Sequence, residues 1–297
     1  MKTWTRSTRE GRAVVRTDEA IASPDAFVDA CLEFETRRSG ERRRVGGIDV
    51  VLKAGPLARS GARRHGLRRL ALGAPAPAEA EFHNLRWLQQ RLFRVPRPVA
   101  AVTVLVGGLP TRQLLATEAV HGAENAAHAW RVADGRTTAA WSRELGRELG
   151  RMHALRFLHG DLYPRNVLVG APAADGSPGH GRSLVWLDAW SGGPTAWRRG
   201  SLRRVEQDLG AWFSSAADWM SAEEQSTVLE EYVAARAANR RPGPEVRRLV
   251  ARIQRARRVE LARLERDRGR LRGEPFPVAG WDPPAGAVEL RASSRSR

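Results

Sequence analysis

The 297-residue sequence has little cysteine and no long apolar run: Cys31 is its one cysteine. A lone thiol excludes a disulfide within the chain and is typical of a protein kept in a reducing compartment. A helix needs about 20 consecutive apolar residues to cross a bilayer, so no membrane-spanning helix is expected. The first eleven residues are polar and lack the apolar core of a signal peptide. We therefore expect a cytoplasmic protein with no disulfide partner.

Lysine is also nearly absent. Of 50 basic residues only Lys2 and Lys53 are lysines, the other 48 are arginines, and with 33 acidic residues the net charge is +17. Such a charge suits a polyanionic partner, but abundant Arg, Ala and Gly also indicate a GC-rich coding sequence that replaces lysine with arginine. A lysine retained under that bias is a candidate functional residue. Lys2 lies at a terminus that we expect to be frayed, which leaves Lys53.

The chain divides into a strand-rich first part and a helix-rich second part, which predicts an α+β protein with a small sheet domain packed on a helical one. The predicted strands cover residues 31–37, 41–45, 48–53, 99–106 and 114–120. A hairpin at Gly46-Gly47 joins two of them. A loop is expected over 56–75, and helices are expected over 78–93, over 139–153 and from about residue 202 onward.

Two charged residues are expected to meet in the first part. Alternation along the strand 48–53 places Lys53 on the face opposite the apolar residues. In the helix that follows, the apolar spacing puts Glu81 on the inward face and Glu79 roughly opposite. An inward carboxylate is costly without a partner, and Lys53 would supply one.

The segment from His159 to Asn166, His-Gly-Asp-Leu-Tyr-Pro-Arg-Asn, carries the clearest chemistry. Its residue types follow the logic of phosphoryl transfer. An aspartate in a tight loop can accept a hydroxyl proton, and an asparagine five residues later can offer an amide oxygen to Mg²⁺. Asp188, at the end of the next predicted strand, would be a second Mg²⁺ ligand. Lys53 would supply a compact positive charge for nucleotide phosphates.

This segment resembles the H-x-D-x-x-x-x-N catalytic loop of the protein-kinase-like fold. The chain is most similar to the bacterial family that phosphorylates Kdo (3-deoxy-D-manno-octulosonic acid) or heptose sugars of the lipopolysaccharide inner core. The similar segments lie at residues 51–53, 81–85, 96–100, 117–118 and 159–166, within roughly residues 30–215. The resemblance implies a bilobal fold, with a small antiparallel-sheet N-lobe over 1–120 and a helical C-lobe over 121–297.

The resemblance also implies roles for the charged residues. Asp161 would be the catalytic base, and Asn166 and Asp188 would bind Mg²⁺. Lys53 would contact the α- and β-phosphates of ATP, and Glu81 would position it.

Further residues gain implied roles in nucleotide binding and loop support. Ser39 and Gly40 would form the turn that covers the phosphates. Glu118, Ala119 and Val120 would form the hinge whose backbone receives adenine. His159 and Asp208 would support the catalytic loop.

The implied function is ATP- and Mg²⁺-dependent transfer of the γ-phosphate to a hydroxyl of a sugar or glycolipid, with Kdo or heptose favoured. One alternative is a small-molecule kinase of the aminoglycoside or choline type, although the net positive charge of the chain disfavours the cationic substrates of such enzymes. Another is a non-catalytic pseudokinase that binds an anionic partner, which the short Ser39-Gly40 turn favours. A protein kinase is disfavoured because few residues separate Asp188 from Asp208. No nucleic-acid partner is expected, since no recognition motif is present.

A predicted helix over 246–272 carries 11 arginines and three acidic residues around an apolar stripe. Two interpretations stay open. The arginines can form a solvated face, or they can contact anionic lipid headgroups or phosphorylated sugars. The second would place the protein peripherally at the inner face of the cytoplasmic membrane, next to an anionic glycolipid substrate.

Overall fold

The structure is a computed structural model. It describes residues 2–17, 23–35, 40–57, 59–170, 183–194, 205–216, 218–238 and 246–272. The packing of the Cα atoms divides the chain into two compact units. Of the described residues, the first unit contains those up to Ala123 and residues 185–193, and the second contains the others. The predicted α+β class is confirmed, and the lobe boundary at residue 120 stays a prediction.

A six-stranded antiparallel sheet organises the first unit. Its strands are β1 (Lys2–Thr8), β2 (Gly11–Thr17), β3 (Glu41–Val45), β4 (Ile48–Pro56), β5 (Pro98–Val106) and β6 (Leu109–Glu118), in the spatial order β1-β2-β5-β6-β4-β3. The predicted hairpin is confirmed, and Gly46 and Gly47 have φ values of 60° and 81°. A tight two-residue turn needs these positive values, which glycine adopts without strain.

The first helix, α1 (Pro24–Glu33), replaces the strand predicted over 31–37 at residues 31–33, and residues 36 and 37 lie outside the described part of the chain. Its side chains Phe27, Val28 and Cys31 are all fully buried in the core that covers the sheet. These three positions share one face of a helix. Because that face packs on the sheet, the segment follows helical and not strand periodicity. Burial raises the pKa of the Cys31 thiol to about 12, so the thiol stays protonated.

A second helix, α2 (Arg59–Leu72), replaces the loop predicted over 56–75. Its arginine- and glycine-rich sequence has no apolar stripe, so periodicity gives no sign of it. The helix lies close to β6, because a Cβ atom added at Gly66 would lie 2.2 Å from a methyl carbon of Leu109. Lys2 is likewise part of a strand, paired with Thr17, and not part of a frayed terminus.

The third helix, α3 (Pro77–Gln89), begins at a proline in its first turn, where the missing N–H has no helical partner to lose. Glu79, which was expected roughly opposite the inward face, is instead fully buried. It lies 2.8 Å from the guanidinium of Arg69 on α2 and 3.7 Å from that of Arg16 on β2. The two arginine charges offset the free-energy cost of burying the Glu79 carboxylate.

The second unit is mainly helical. Its helices are α4 (Ala126–Val132), α5 (Gly135–Ala154), α6 (Val205–Ala216), α7 (Ala222–Ala238) and α8 (Val246–Arg272). The remaining strands of the chain, not all of them wholly in this unit, are short: β7 (Ala123–Asn125), β8 (Phe157–Leu158), β9 (Val167–Gly170), β10 (Leu184–Trp186) and β11 (Gly193–Pro194). The helix predicted over 246–272 is confirmed, and no helix among the described residues is long and apolar enough to cross a membrane.

Two glycines let α5 and α7 approach closely. A Cβ atom at Gly146 would lie 2.4 Å from the carbonyl oxygen of Val228, and one at Gly150 would lie 2.6 Å from that of Tyr232. A side chain at either position would collide with the α7 backbone, so glycine permits this close approach. This packing holds in place the last turn of α5, which leads into the predicted catalytic loop.

Candidate active site

Lys53 lies between two carboxylates in the first unit. Its Nζ atom is 3.0 Å from Oε1 of Glu81 and 3.0 Å from Oδ1 of Asp188. On β4 the neighbouring side chains of Val50 and Leu52 are buried in the sheet core, so alternation turns Lys53 to the other face. The expected meeting of Lys53 and Glu81 is present, and Asp188 joins it.

The charges of this trio depend on burial. Burial raises the pKa of Glu81 to about 7, and the charge of Lys53 offsets that effect only in part. For Lys53, burial lowers the pKa, but Glu81 and Asp188 outweigh it and leave the pKa above its usual value. Lys53 is therefore charged at neutral pH, as a group that binds phosphate oxygens must be.

Replacing Glu81 with glutamine is expected to remove a pH-dependent loss of stability. The pKa of about 7 in the folded protein is above the ordinary 4.5, so the folded state holds a proton that the unfolded chain has released. The contribution of Glu81 to the free energy of unfolding is therefore largest at low pH. It declines by about 1–3 kcal/mol as the pH rises from about 5 to about 8. Urea unfolding of wild type and Glu81→Gln at several pH values measures the difference.

The exposed Glu33 of α1 provides a matched control in the same unit, because Glu33→Gln removes a carboxylate on the protein surface. The difference in unfolding free energy between wild type and Glu33→Gln should vary little over the same range. A constant difference between wild type and Glu81→Gln would contradict the raised pKa of Glu81.

Asp188 is held in an uncommon backbone conformation by α3. Its φ of 58° is in the left-handed region, which costs a residue other than glycine about 1–2 kcal/mol. Asn84, one turn after Glu81 on α3, donates from Nδ2 to the carbonyl oxygen of Ala189 at 2.6 Å. The same helix thus positions Glu81 and the segment after Asp188. The sequence signal for Asn84 was its place on the inward face, three residues after Glu81.

The second unit carries the loop with Asp161 and Asn166. The Asn166 side chain donates from Nδ2 to the backbone oxygen of Asp161 at 2.7 Å and to its Oδ2 atom at 3.0 Å. Asn166 ends a short 3₁₀ turn, Pro164–Asn166, and is buried. This orientation fixes the Asp161 carboxylate and leaves the side-chain oxygen of Asn166 as an acceptor.

Asp208 braces this loop from α6. Its carboxylate accepts from the backbone N–H groups of His159 at 2.7 Å and Gly160 at 2.8 Å, and lies 3.3 Å from Nε2 of His153. Burial acts to raise the pKa of Asp208, but the hydrogen bond and charge of His153 and the loop contacts outweigh it, so the pKa is lowered. The contacts are those of a loop-supporting residue, and His159 takes part through its backbone.

Further loop contacts come from residues that sequence reasoning did not single out. The hydroxyl of Tyr163 donates to Oε1 of Glu260 on α8, and Arg263 lies 3.4 Å from the same oxygen. A face of α8 is buried through Leu249 and Ile253. The arginine-rich helix therefore has a structural function through its apolar stripe and Glu260, and no local spacing signals a contact between residues 97 positions apart.

The predicted nucleotide-binding positions lie around the same sheet. Ser39 is outside the described residues. Gly40 has a φ of 80°, and a Cβ atom there would lie 2.8 Å from Val51 and 3.3 Å from the Lys53 side chain, so the backbone at Gly40 lies close against β4.

The predicted hinge follows the end of β6. The Glu118 carboxylate is 2.5 Å from the guanidinium of Arg97, and its hydrogen bond lowers the pKa of Glu118. Ala119 comes next, and the carbonyl oxygen of Val120 accepts from Arg42 at 3.4 Å.

The candidate metal ligands of this chain are the few oxygen donors that Mg²⁺ needs, and they do not form a metal site made of protein side chains alone. No group of three or more His, Cys, Asp or Glu side chains that could hold a metal is present in the part of the chain that the structure describes. Mg²⁺ commonly takes one or two protein oxygens and completes its octahedron with water and phosphates. The carboxylate of Asp188 and the amide oxygen of Asn166 are donors of this type.

A strand lysine paired with a helix glutamate, and an Asp-x-x-x-x-Asn loop braced by a buried aspartate, define a protein of the protein-kinase-like class. Residues 58–225, more than half of the chain, match the model of the lipopolysaccharide kinase (Kdo/WaaP) family. The chain belongs to this family.

Individual relatives agree with that assignment. A 3-deoxy-D-manno-octulosonic acid kinase of Stenotrophomonas maltophilia (strain K279a) is 36% identical over 135 residues, which are 44% of this chain and 49% of the relative. The protein of the same name from Xanthomonas campestris pv. campestris (strain B100) is 35% identical over 135 residues, with the same shares. The chain spans about half the length of the curated relatives it matches.

Solved structures show weaker likeness. WaaP in complex with acyl carrier protein has a TM-score of 0.48 and 19% identity, covering 74% of this chain and 83% of that chain. A glucosamine kinase (crystal form A) has a TM-score of 0.41 and 16% identity, covering 84% of this chain and 65% of the other.

Proposed function

We propose that this protein is a kinase that transfers the γ-phosphate of ATP, with Mg²⁺, to a hydroxyl of a lipopolysaccharide inner-core sugar, Kdo or heptose. The observation that carries the proposal is the position of Lys53, with its ammonium 3.0 Å from both Glu81 and Asp188. A charged lysine held in this way favours a phosphate-binding enzyme over an inert scaffold. Family membership and the named Kdo kinases support the acceptor class.

Each residue has a defined part in this proposal. Lys53 binds phosphate oxygens and Glu81 holds it in place, while Asp188 and Asn166 would hold the metal. When bound, ATP supplies the phosphoryl group and Mg²⁺ neutralises the charge on its phosphates. Asp161 accepts the proton of the acceptor hydroxyl at Oδ1, because Oδ2 already receives a hydrogen bond from Asn166.

The nucleotide would lie along the sheet. In the proposal, the backbone of Glu118, Ala119 and Val120 receives adenine, and the turn at Ser39 and Gly40 covers the phosphates. The closeness of Gly40 to the side chain of Lys53 supports this placement.

The acceptor also suggests where the protein works. An inner-core sugar attached to a lipid anchor would be met at the inner face of the cytoplasmic membrane. The net charge of +17 favours peripheral contact with such an anionic surface. The exposed arginines of α8 are the proposed contact: Arg255, Arg258, Arg263 and Arg266.

The test is phosphate transfer by the purified chain from γ-labelled ATP and Mg²⁺ to lipopolysaccharide cores that end in Kdo or heptose, with an aminoglycoside as a competing acceptor. We expect label in a core sugar. Label in the aminoglycoside alone would favour the small-molecule kinase and overturn the proposal. Thermal stabilisation by ATP and Mg²⁺ without transfer to any acceptor would also overturn it, in favour of a pseudokinase.

A further inference from the structure

Arg165 lies beside Asp161 in the second unit. Its Nη2 atom is 3.4 Å from Oδ1 of Asp161, and its guanidinium lies over the ring of Tyr163, 4.1 Å from the centroid. The side chain is 58% exposed, in contrast to the buried carboxylates that support the loop. Arg165 is therefore an exposed cation next to Oδ1 of Asp161, the atom that we assign as the proton acceptor.

The aromatic ring fixes the guanidinium in place. Tyr163 is buried and is held by its hydrogen bond to Glu260, so the surface under Arg165 is rigid. Stacking of this kind orients a guanidinium without using its N–H donors. A guanidinium has five donors, and the contact to Asp161 is long for a hydrogen bond. Donors of Arg165 can therefore face solvent, where an acceptor would arrive.

We propose that Arg165 binds the carboxylate of an acidic acceptor sugar while a hydroxyl of the same sugar lies at Asp161. This inference rests on the proposed function, and it narrows the acceptor from inner-core sugars in general to an acidic one such as Kdo. The planar guanidinium matches a carboxylate with two parallel hydrogen bonds. Its charge also offsets the repulsion between Asp161 and an anionic acceptor.

Almost every basic residue in this chain is arginine, so an arginine at this position is expected from composition alone. The observation that points to an acidic acceptor is the place of this guanidinium beside Asp161. The 3.4 Å separation between guanidinium and carboxylate is short enough for one sugar ring to reach both groups. A neutral heptose would offer the guanidinium hydroxyl acceptors but no anionic partner.

The experiment compares two acceptors, the methyl glycoside of Kdo and the methyl ester of that glycoside. We expect wild type to prefer the free acid by about 10- to 100-fold in kcat/KM, the range for a hydrogen-bonded charged pair. In Arg165→Gln this ratio should fall to about 1. Arg143→Gln, which removes an exposed arginine of α5, is the matched control and should keep the wild-type ratio.

The outcomes separate this inference from the proposed function. Transfer to neither acceptor, nor to intact cores, would overturn the proposed function itself. Transfer with no preference by wild type, or an unchanged preference in Arg165→Gln, would overturn only the inference. If Arg165→Gln does not fold, Arg165→Lys retains the charge but loses the planar pairing, and a preference for the free acid that is smaller than that of wild type but greater than 1 is expected. A loss of structure alone would lower both activities and leave their ratio unchanged.

Discussion

Replacing Asp161 with asparagine is expected to lower kcat for phosphate transfer by about 10²- to 10⁴-fold, the usual contribution of a general base. Asparagine preserves the shape of the side chain and can still accept the hydrogen bond that Asn166 now donates at 3.0 Å. It cannot take a proton from the acceptor hydroxyl. Affinity for ATP should change little, because the charged trio of Lys53, Glu81 and Asp188 remains intact.

Steady-state transfer from labelled ATP measures the loss, and calorimetric titration with a non-hydrolysable ATP analogue measures the retained affinity. Asp218→Asn is the control, since it removes an exposed carboxylate of the same unit. Wild-type turnover in Asp161→Asn would exclude Asp161 as the base. Loss of both turnover and nucleotide affinity would instead point to a structural role.

Replacing Asp208 with alanine is expected to destabilise the protein by about 3–5 kcal/mol, the range for breaking a buried charged pair by removing one partner. The carboxylate is 3% exposed and serves the N–H groups of His159 and Gly160 together with the ring of His153. Alanine leaves all three without this acceptor. Asp208→Asn keeps one acceptor oxygen, so its loss should be smaller.

The pH dependence of Asp208 gives a second measure. Its pKa in the folded protein is below the ordinary 3.8, so its contribution is present above that value and is lost as pH falls through the lower, folded-state pKa. Urea unfolding of wild type and Asp208→Asn should therefore show a difference that shrinks on acidification below about pH 4. An unfolding free energy of Asp208→Ala within about 1 kcal/mol of wild type would contradict the bracing role.

The elements that could be predicted from sequence are those with an unambiguous local signal. The Gly46-Gly47 hairpin needs only a turn that glycine permits, and α8 has an apolar stripe with helical spacing over 27 residues. The strand predicted over 31–37 was wrong at residues 31–33, because a short apolar run fits both strand and helix periodicity and the sheet is covered there by a helix. The helix α2 has no apolar stripe, and its contacts with Leu109 and Glu79 are visible only in the tertiary structure.

The chemical groups available for phosphate transfer follow from the sequence: Lys53 on the strand face opposite the apolar residues, Glu81 on the inward face of its helix, and the ordered Asp161, Asn166 and Asp188. Residue type, local period and spacing carry that information, because each depends on neighbours along the chain.

The tertiary structure alone decided which distant groups meet. It brings Glu79 into contact with Arg16 and Arg69. It also brings Tyr163 into hydrogen-bond contact with Glu260, 97 positions away, and this bond fixes the surface under Arg165. Such contacts follow from the packing of whole helices and strands, and no local pattern contains them.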